Sequence, residues 1–85
     1  MGGPEFRIRA PQESSLTDYD RDHAVTYLRL LDADEAGADW REVASLVLGV
    51  DPGRDFERAQ VMHSSHLARA KWMRDGGYAD LLRKN

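Results

Sequence analysis

The chain has 85 residues, room for one domain, with 41% hydrophobic residues and no cysteine. That excludes a disulfide framework and a thiolate metal site, and no apolar run approaches the roughly 20 residues a membrane span needs. Fifteen acids against twelve Lys and Arg give a net charge of −3, which argues against an obligate nucleic-acid binder, because nonspecific DNA affinity comes from cations neutralising phosphates.

Met1 to Ser15 (MGGPEFRIRAPQESS) has glycines, two prolines and no sustained period. It reads as a disordered tail, in part an appended leader, with the domain proper over 16–85. Leu16 to Asp32 reads as the first helix, with Thr17 and Asp20 as a capping pair and acids in the first turn to suit the helix dipole. Ala24, Tyr27, Leu28 and Leu31 share one face and are the expected core stripe. Tyr19, His23, Thr26 and Leu30 form a second stripe, in excess of what one helix of a small domain buries, and hence either a candidate contact surface or a face that the N-terminal tail or the last helix covers.

An acidic loop, Ala33 to Ala38, leads to Asp39, the expected cap of a second helix carrying Val43, Ala44, Val47 and Leu48 at helical spacing. Gly49 stands where a left-handed C-terminal residue is wanted. Val50 to Asp55 cannot continue the helix, because Pro52 lacks an amide donor and disfavours helical geometry at Asp51. Asp55 then caps a long helix, Phe56 to Asp75. Phe56, Ala59, Met62, Leu67, Ala70 and Met73 form its core-facing arc, with Val61, Ser65, Ala68 and Trp72 opposite. After Gly76-Gly77, Tyr78 to Arg83 reads as a short last helix whose Tyr78, Leu81 and Leu82 fold back over Trp72. The expected fold is all-α: a helix-turn-helix variant with an extended turn, three main helices and a short fourth. Leu28, Leu31, Val43, Val47, Met62 and Leu67 are its expected buried core.

Three constellations invite chemistry, and none holds up. Asp18, Asp20 and Asp22 alternate like a calcium loop, but His23 and Arg29 stand where that loop needs glycine and a bidentate Glu. His63 and His66 sit one turn apart with no third or fourth ligand at telling spacing for zinc. Ser64 and Ser65 beside the histidines have no pocket and no oxyanion donors on one small helix surface. The chain reads as a non-enzyme without cofactor or metal. As a DNA reading head, the turn and first turns of the long helix offer Arg54, Arg58, Gln60, His63 and Ser64, interleaved with Asp55 and Glu57, which would sit near phosphates.

Successive blocks then carry a resemblance. Tyr19-Asp-Arg-Asp-His23, Tyr27-Leu-Arg-Leu-Leu-Asp32, Gly37-Ala-Asp-Trp-Arg-Glu-Val-Ala44, Asp51-Pro52, Glu57-Arg-Ala59, Ser65-His-Leu-Ala-Arg-Ala70 and Gly77-Tyr78 with Leu81-Leu82 occur in order. Together they resemble the proteobacterial RovC-type DNA-binding domain across residues 17 to 83. The resemblance implies an extended-turn helix-turn-helix, which in activators of that kind usually forms the C-terminal half behind a small N-terminal domain. Such activators tend to be more basic along the third helix, where Gln60, Val61, Met62 and Ser64 are neutral here. A free-standing acidic copy is similar to the QseM-type antiactivators of conjugative-element transfer and its quorum-sensing control. The resemblance implies mimicry, the copy docking on an activator's N-terminal domain in place of that activator's own helix-turn-helix. The expectation is a cytoplasmic, monomeric regulator that binds a protein partner through Tyr19, His23, Leu30, Val61, Ala68 and Trp72, with weak or no DNA binding. The alternative is the DNA-binding domain of a transcription factor.

Overall fold

The computed structural model describes residues 5–77 and forms four α-helices, with no strand among the described residues. A short α1 (Asp18–Asp22) leads into α2 (Ala24–Glu35), followed by α3 (Trp40–Leu48), α4 (Phe56–Trp72) and a wider π-type turn over Met73–Gly77. The expected all-α fold is therefore what the chain adopts. The expected last helix over Tyr78 to Arg83, and its cover over Trp72, lie outside the described residues.

Local chemistry sets most element ends. Thr17 Oγ1 accepts from the Asp20 N–H while the Asp20 carboxylate accepts from the Thr17 N–H, a reciprocal cap that satisfies two orphan donors at the start of α1. Asp39 accepts from the Arg41 N–H and opens α3. Gly49 closes it in the left-handed conformation at φ 71°, a region that costs a residue with a Cβ. Asp55 occupies the cap position of α4, but its carboxylate turns away to the Arg58 Nε at 3.0 Å.

Helices α2 and α3 pack on α4, the longest element, around Tyr27, Leu30, Val43, Leu48, Met62 and Ala70. Leu31, Val47, Leu67 and Phe6 are half-buried against that cluster. Two expectations need correction. The first helix is broken at His23 (φ −113°, ψ 20°), and its inward face is Tyr19, Asp20, His23, Tyr27 and Leu30. Leu30 is 1% exposed, whereas Leu28, expected in the core, is 61% exposed. Of the stripe expected in the core, Tyr27 is buried and Ala24 and Leu31 are half-buried, so Leu28 alone faces outward.

The second correction concerns the segment before α1. Residues 5–15, expected to be a disordered tail, run as a strap across α1 and α4. Ala10 and Pro11 are buried, and Phe6 packs beside the His23 and His66 rings at 4.9 and 5.8 Å between centroids. The strap is irregular, so its backbone needs side-chain partners. It finds three: the Tyr19 hydroxyl accepts from the Arg7 N–H, Ser65 Oγ accepts from the Ala10 N–H, and Arg69 donates to two strap carbonyls.

Candidate functional site

In a helix-turn-helix the turn and the first turns of the following helix present side chains to DNA. Here the turn is tied by Asp51, whose carboxylate accepts from the Gly53 N–H at 2.9 Å and whose carbonyl accepts from the Arg54 and Asp55 amides. Arg54, Arg58, Gln60 and Ser64 are all exposed, but Arg58 and Gln60, two residues apart on α4, project to nearly opposite sides of the helix, so the accessible surface beside the turn is that of Arg54 and the first turn of α4. The charge on that surface is largely cancelled. Arg58 is ion-paired with Asp55 at 3.0 Å, and Asp51 and Glu57 stand exposed beside them. Phe56, 50% exposed, occupies the first position of α4 and meets the half-buried Trp40 edge to face at 5.6 Å. His63 is half-buried against the same indole, 5.8 Å between centroids, and burial lowers its pKa, with Asp34 opposing. At neutral pH it is an uncharged ring.

The second constellation is interior. Asp20 is fully buried, and Arg69 meets it through two parallel bonds, Nε to Oδ1 at 3.0 Å and Nη2 to Oδ2 at 2.7 Å. Such a forked pair is the strongest ordinary form of a carboxylate contact. Tyr27 donates its hydroxyl proton to Asp20 Oδ1 at 2.8 Å. Burial alone would raise the Asp20 pKa, but the bonds from Arg69, Thr17 and Tyr27 outweigh it and bring the value down to about 2. Arg69 also donates to the carbonyls of Glu13 and Ser15, and its guanidinium lies 4.0 Å over the Trp72 ring. One buried ion pair therefore joins α1, α2, α4 and the strap.

Beside it lies a histidine pair. His66 Nδ1–H donates to the Met62 carbonyl at 2.7 Å, so Nε2 accepts from the Tyr19 hydroxyl at 2.6 Å. Burial pushes the His66 pKa down, although the Met62 bond opposes it. His23 Nδ1–H donates to the Tyr19 carbonyl at 2.8 Å, and its Nε2 is buried with no partner among the described residues. Among those residues no group of three or more His, Asp or Glu side chains is placed to share a metal ion.

The residues expected to bind a protein partner fare differently from the reading residues. Tyr19, His23 and Leu30 are interior and offer no surface. Val61 and Trp72 are half-buried, and Ala68 is exposed. Ala68 and Trp72 line a shallow depression that the strap residues Ala10 to Ser14 close on the other side. The strap meets Tyr19 and His23 of one surplus stripe and Ser65 and Trp72 of the other, while Leu30 packs in the core. Sequence reasoning also missed the Asp20–Arg69 pair. Its available signal was Arg69 itself, at a helical step from Met62, His66 and Met73, a row that is otherwise apolar or aromatic.

No curated protein matches the chain at a significant level. No described helix is long and apolar enough to cross a membrane. A family model described as "T6SS, Transcription factor, DNA binding domain" matches residues 5–83, strap included. That family is not a class of enzymes, and its members' description places the fold in transcriptional regulation. The chain belongs to the T6SS transcription-factor DNA-binding domain family.

Proposed function

We propose that this transcriptional regulator domain acts as an antiactivator, binding the N-terminal domain of a related activator and blocking it. The observation that carries the reading is charge cancellation where DNA would be read. Arg58 is held by Asp55, Asp51 and Glu57 add carboxylates, and Phe56 puts an aromatic ring at the first position of α4. A surface of that kind releases few counterions from a duplex. The similarity to QseM-type antiactivators supports control of conjugative-element transfer as the setting.

The test is a mobility-shift titration of the chain alone at low salt, beside calorimetric titration with a related activator's N-terminal domain. The expected result is no tight, sequence-dependent shift and saturable protein binding. A tight, sequence-dependent shift would overturn the reading in favour of a DNA-binding transcription factor domain. That second reading is favoured by the family match and by the exposure of Arg54, Gln60 and Ser64.

A further inference from the structure

The outer side of α2 is the described surface where exposed aliphatic side chains adjoin an apolar groove. Val25 and Leu28, one helical step apart, are 65% and 61% exposed. Next to them a groove of about 410 Å³ runs between α2 and the end of α4, lined by Ala24, Tyr27, Leu28, Leu31, Ala70, Met73 and Arg74. Aliphatic side chains left in water beside an apolar groove mark an interaction site more often than isolated ones do.

The charge around this patch chooses the occupant. Asp32 and Glu35 lie four and seven residues after Leu28 on α2, and Asp22 ends α1 just before α2 begins, all exposed. Arg29 shares the face, but Arg21 is already paired with Asp18 at 3.0 Å, and Arg74 across the groove with Asp75 at 2.8 Å. The rim is therefore acidic around an apolar floor. It also lies at the far end of α4 from the turn: Phe56 and Ala70 are fourteen residues apart, about 21 Å along the helix. A partner seated here leaves the Phe56 surface uncovered.

We infer that the outer face of α2, with the α2–α4 groove, docks an amphipathic helix of a protein partner that carries aliphatic side chains on one stripe and lysines or arginines beside it. The aliphatic stripe fills the groove as in other helix-in-groove contacts, and the cations meet Asp22, Asp32 and Glu35. The identity of that partner as an activator's N-terminal domain rests on the antiactivator reading; the chemistry of the face does not.

The experiment uses the full chain and two dye-labelled synthetic 18-residue helices with the same leucine stripe, one completed with lysine and the other with glutamate. Fluorescence anisotropy should show the Leu/Lys helix binding at least tenfold tighter than the Leu/Glu helix, and weakening as salt is raised. Leu28→Glu should weaken the Leu/Lys helix at least tenfold, although it adds a negative charge that nonspecific attraction would reward. Leu46→Glu, at a position 82% exposed on α3, should change nothing. Equal binding of the two helices, or indifference to Leu28→Glu, would overturn the inference. So would self-association that Leu28→Glu abolishes, which gives the face to a second copy, or NMR shifts from Leu28→Glu confined to α2 and residues 78–85, which give the groove to the chain's own C-terminus. Titration of the same variants with the activator domain separates the two claims. If that domain fails to bind wild type while the Leu/Lys helix binds, the antiactivator reading falls and the face stands. If it binds regardless of Leu28→Glu, the face falls and the reading stands.

Discussion

Arg69 shows how one buried cation can organise a small domain. Two charges removed from water contribute little net stability when paired, but removing one partner strands the other. Arg69→Met leaves Asp20 buried and charged and frees the Glu13 and Ser15 carbonyls, so it should cost about 3–5 kcal/mol in urea denaturation. Tyr27→Phe removes one of the donors to Asp20 while Arg69 and Thr17 remain. It should cost about 1 kcal/mol, near the usual net value of a single hydrogen bond. A loss for Arg69→Met no larger than for Tyr27→Phe would mean that the pair is not closed in solution. The double change Asp20→Asn with Arg69→Met should recover part of the single loss, because it removes both charges together.

At the scale of elements, three ends were legible because each is a local event, whereas the break at His23 was not. Thr17 with Asp20, Asp39 and Gly49 act within a few residues of themselves, and the structure has all three where the spacing puts them. The inward face of α2 was not legible, because it depends on a residue 49 positions away. Counting aliphatic residues favours Leu28 and Leu31 beside Tyr27; the Asp20–Arg69 pair and the strap keep Tyr27 inward, add Tyr19, His23 and Leu30, and leave Leu28 outside. The strap itself has no period to read, since its order comes from Ser65, Tyr19 and Arg69 on other elements. The register of α2 is checked by two truncations. Leu30→Ala should cost about 2–5 kcal/mol, whereas Leu28→Ala should stay within about 0.5 kcal/mol. Comparable losses at the two positions would return the helix to the face that aliphatic counting prefers. Gly49→Ala should cost about 1 kcal/mol: an added Cβ meets nothing within 4 Å, so the penalty is that of the left-handed backbone at φ 71°.

For the molecule as a whole, the buried polar groups make stability a function of pH in two separate steps. His66 and His63 both have pKa values pushed below the usual histidine value by burial. The unfolded chain therefore takes up protons near pH 6.5 that the folded chain refuses, and stability declines as pH falls through that region. Asp20 acts in a lower window. Its carboxyl is held at about 2 against an ordinary 3.8, so its contribution is fully present above about pH 4 and is lost as pH falls toward 2. The shift corresponds to about 2 kcal/mol, and the full burial of Asp20 leaves little solvent to screen it. Exposed carboxylates also titrate in that range, which makes the difference between wild type and Asp20→Asn the informative quantity. Urea melts should show wild type ahead at pH 7 and the gap narrowing by about 2 kcal/mol between pH 4 and pH 2. The same gap should hold steady between pH 7 and pH 5, where only the histidines change state. A gap that closes already at pH 5 would place the coupling in His66 under the strap and not in the Asp20–Arg69 fork.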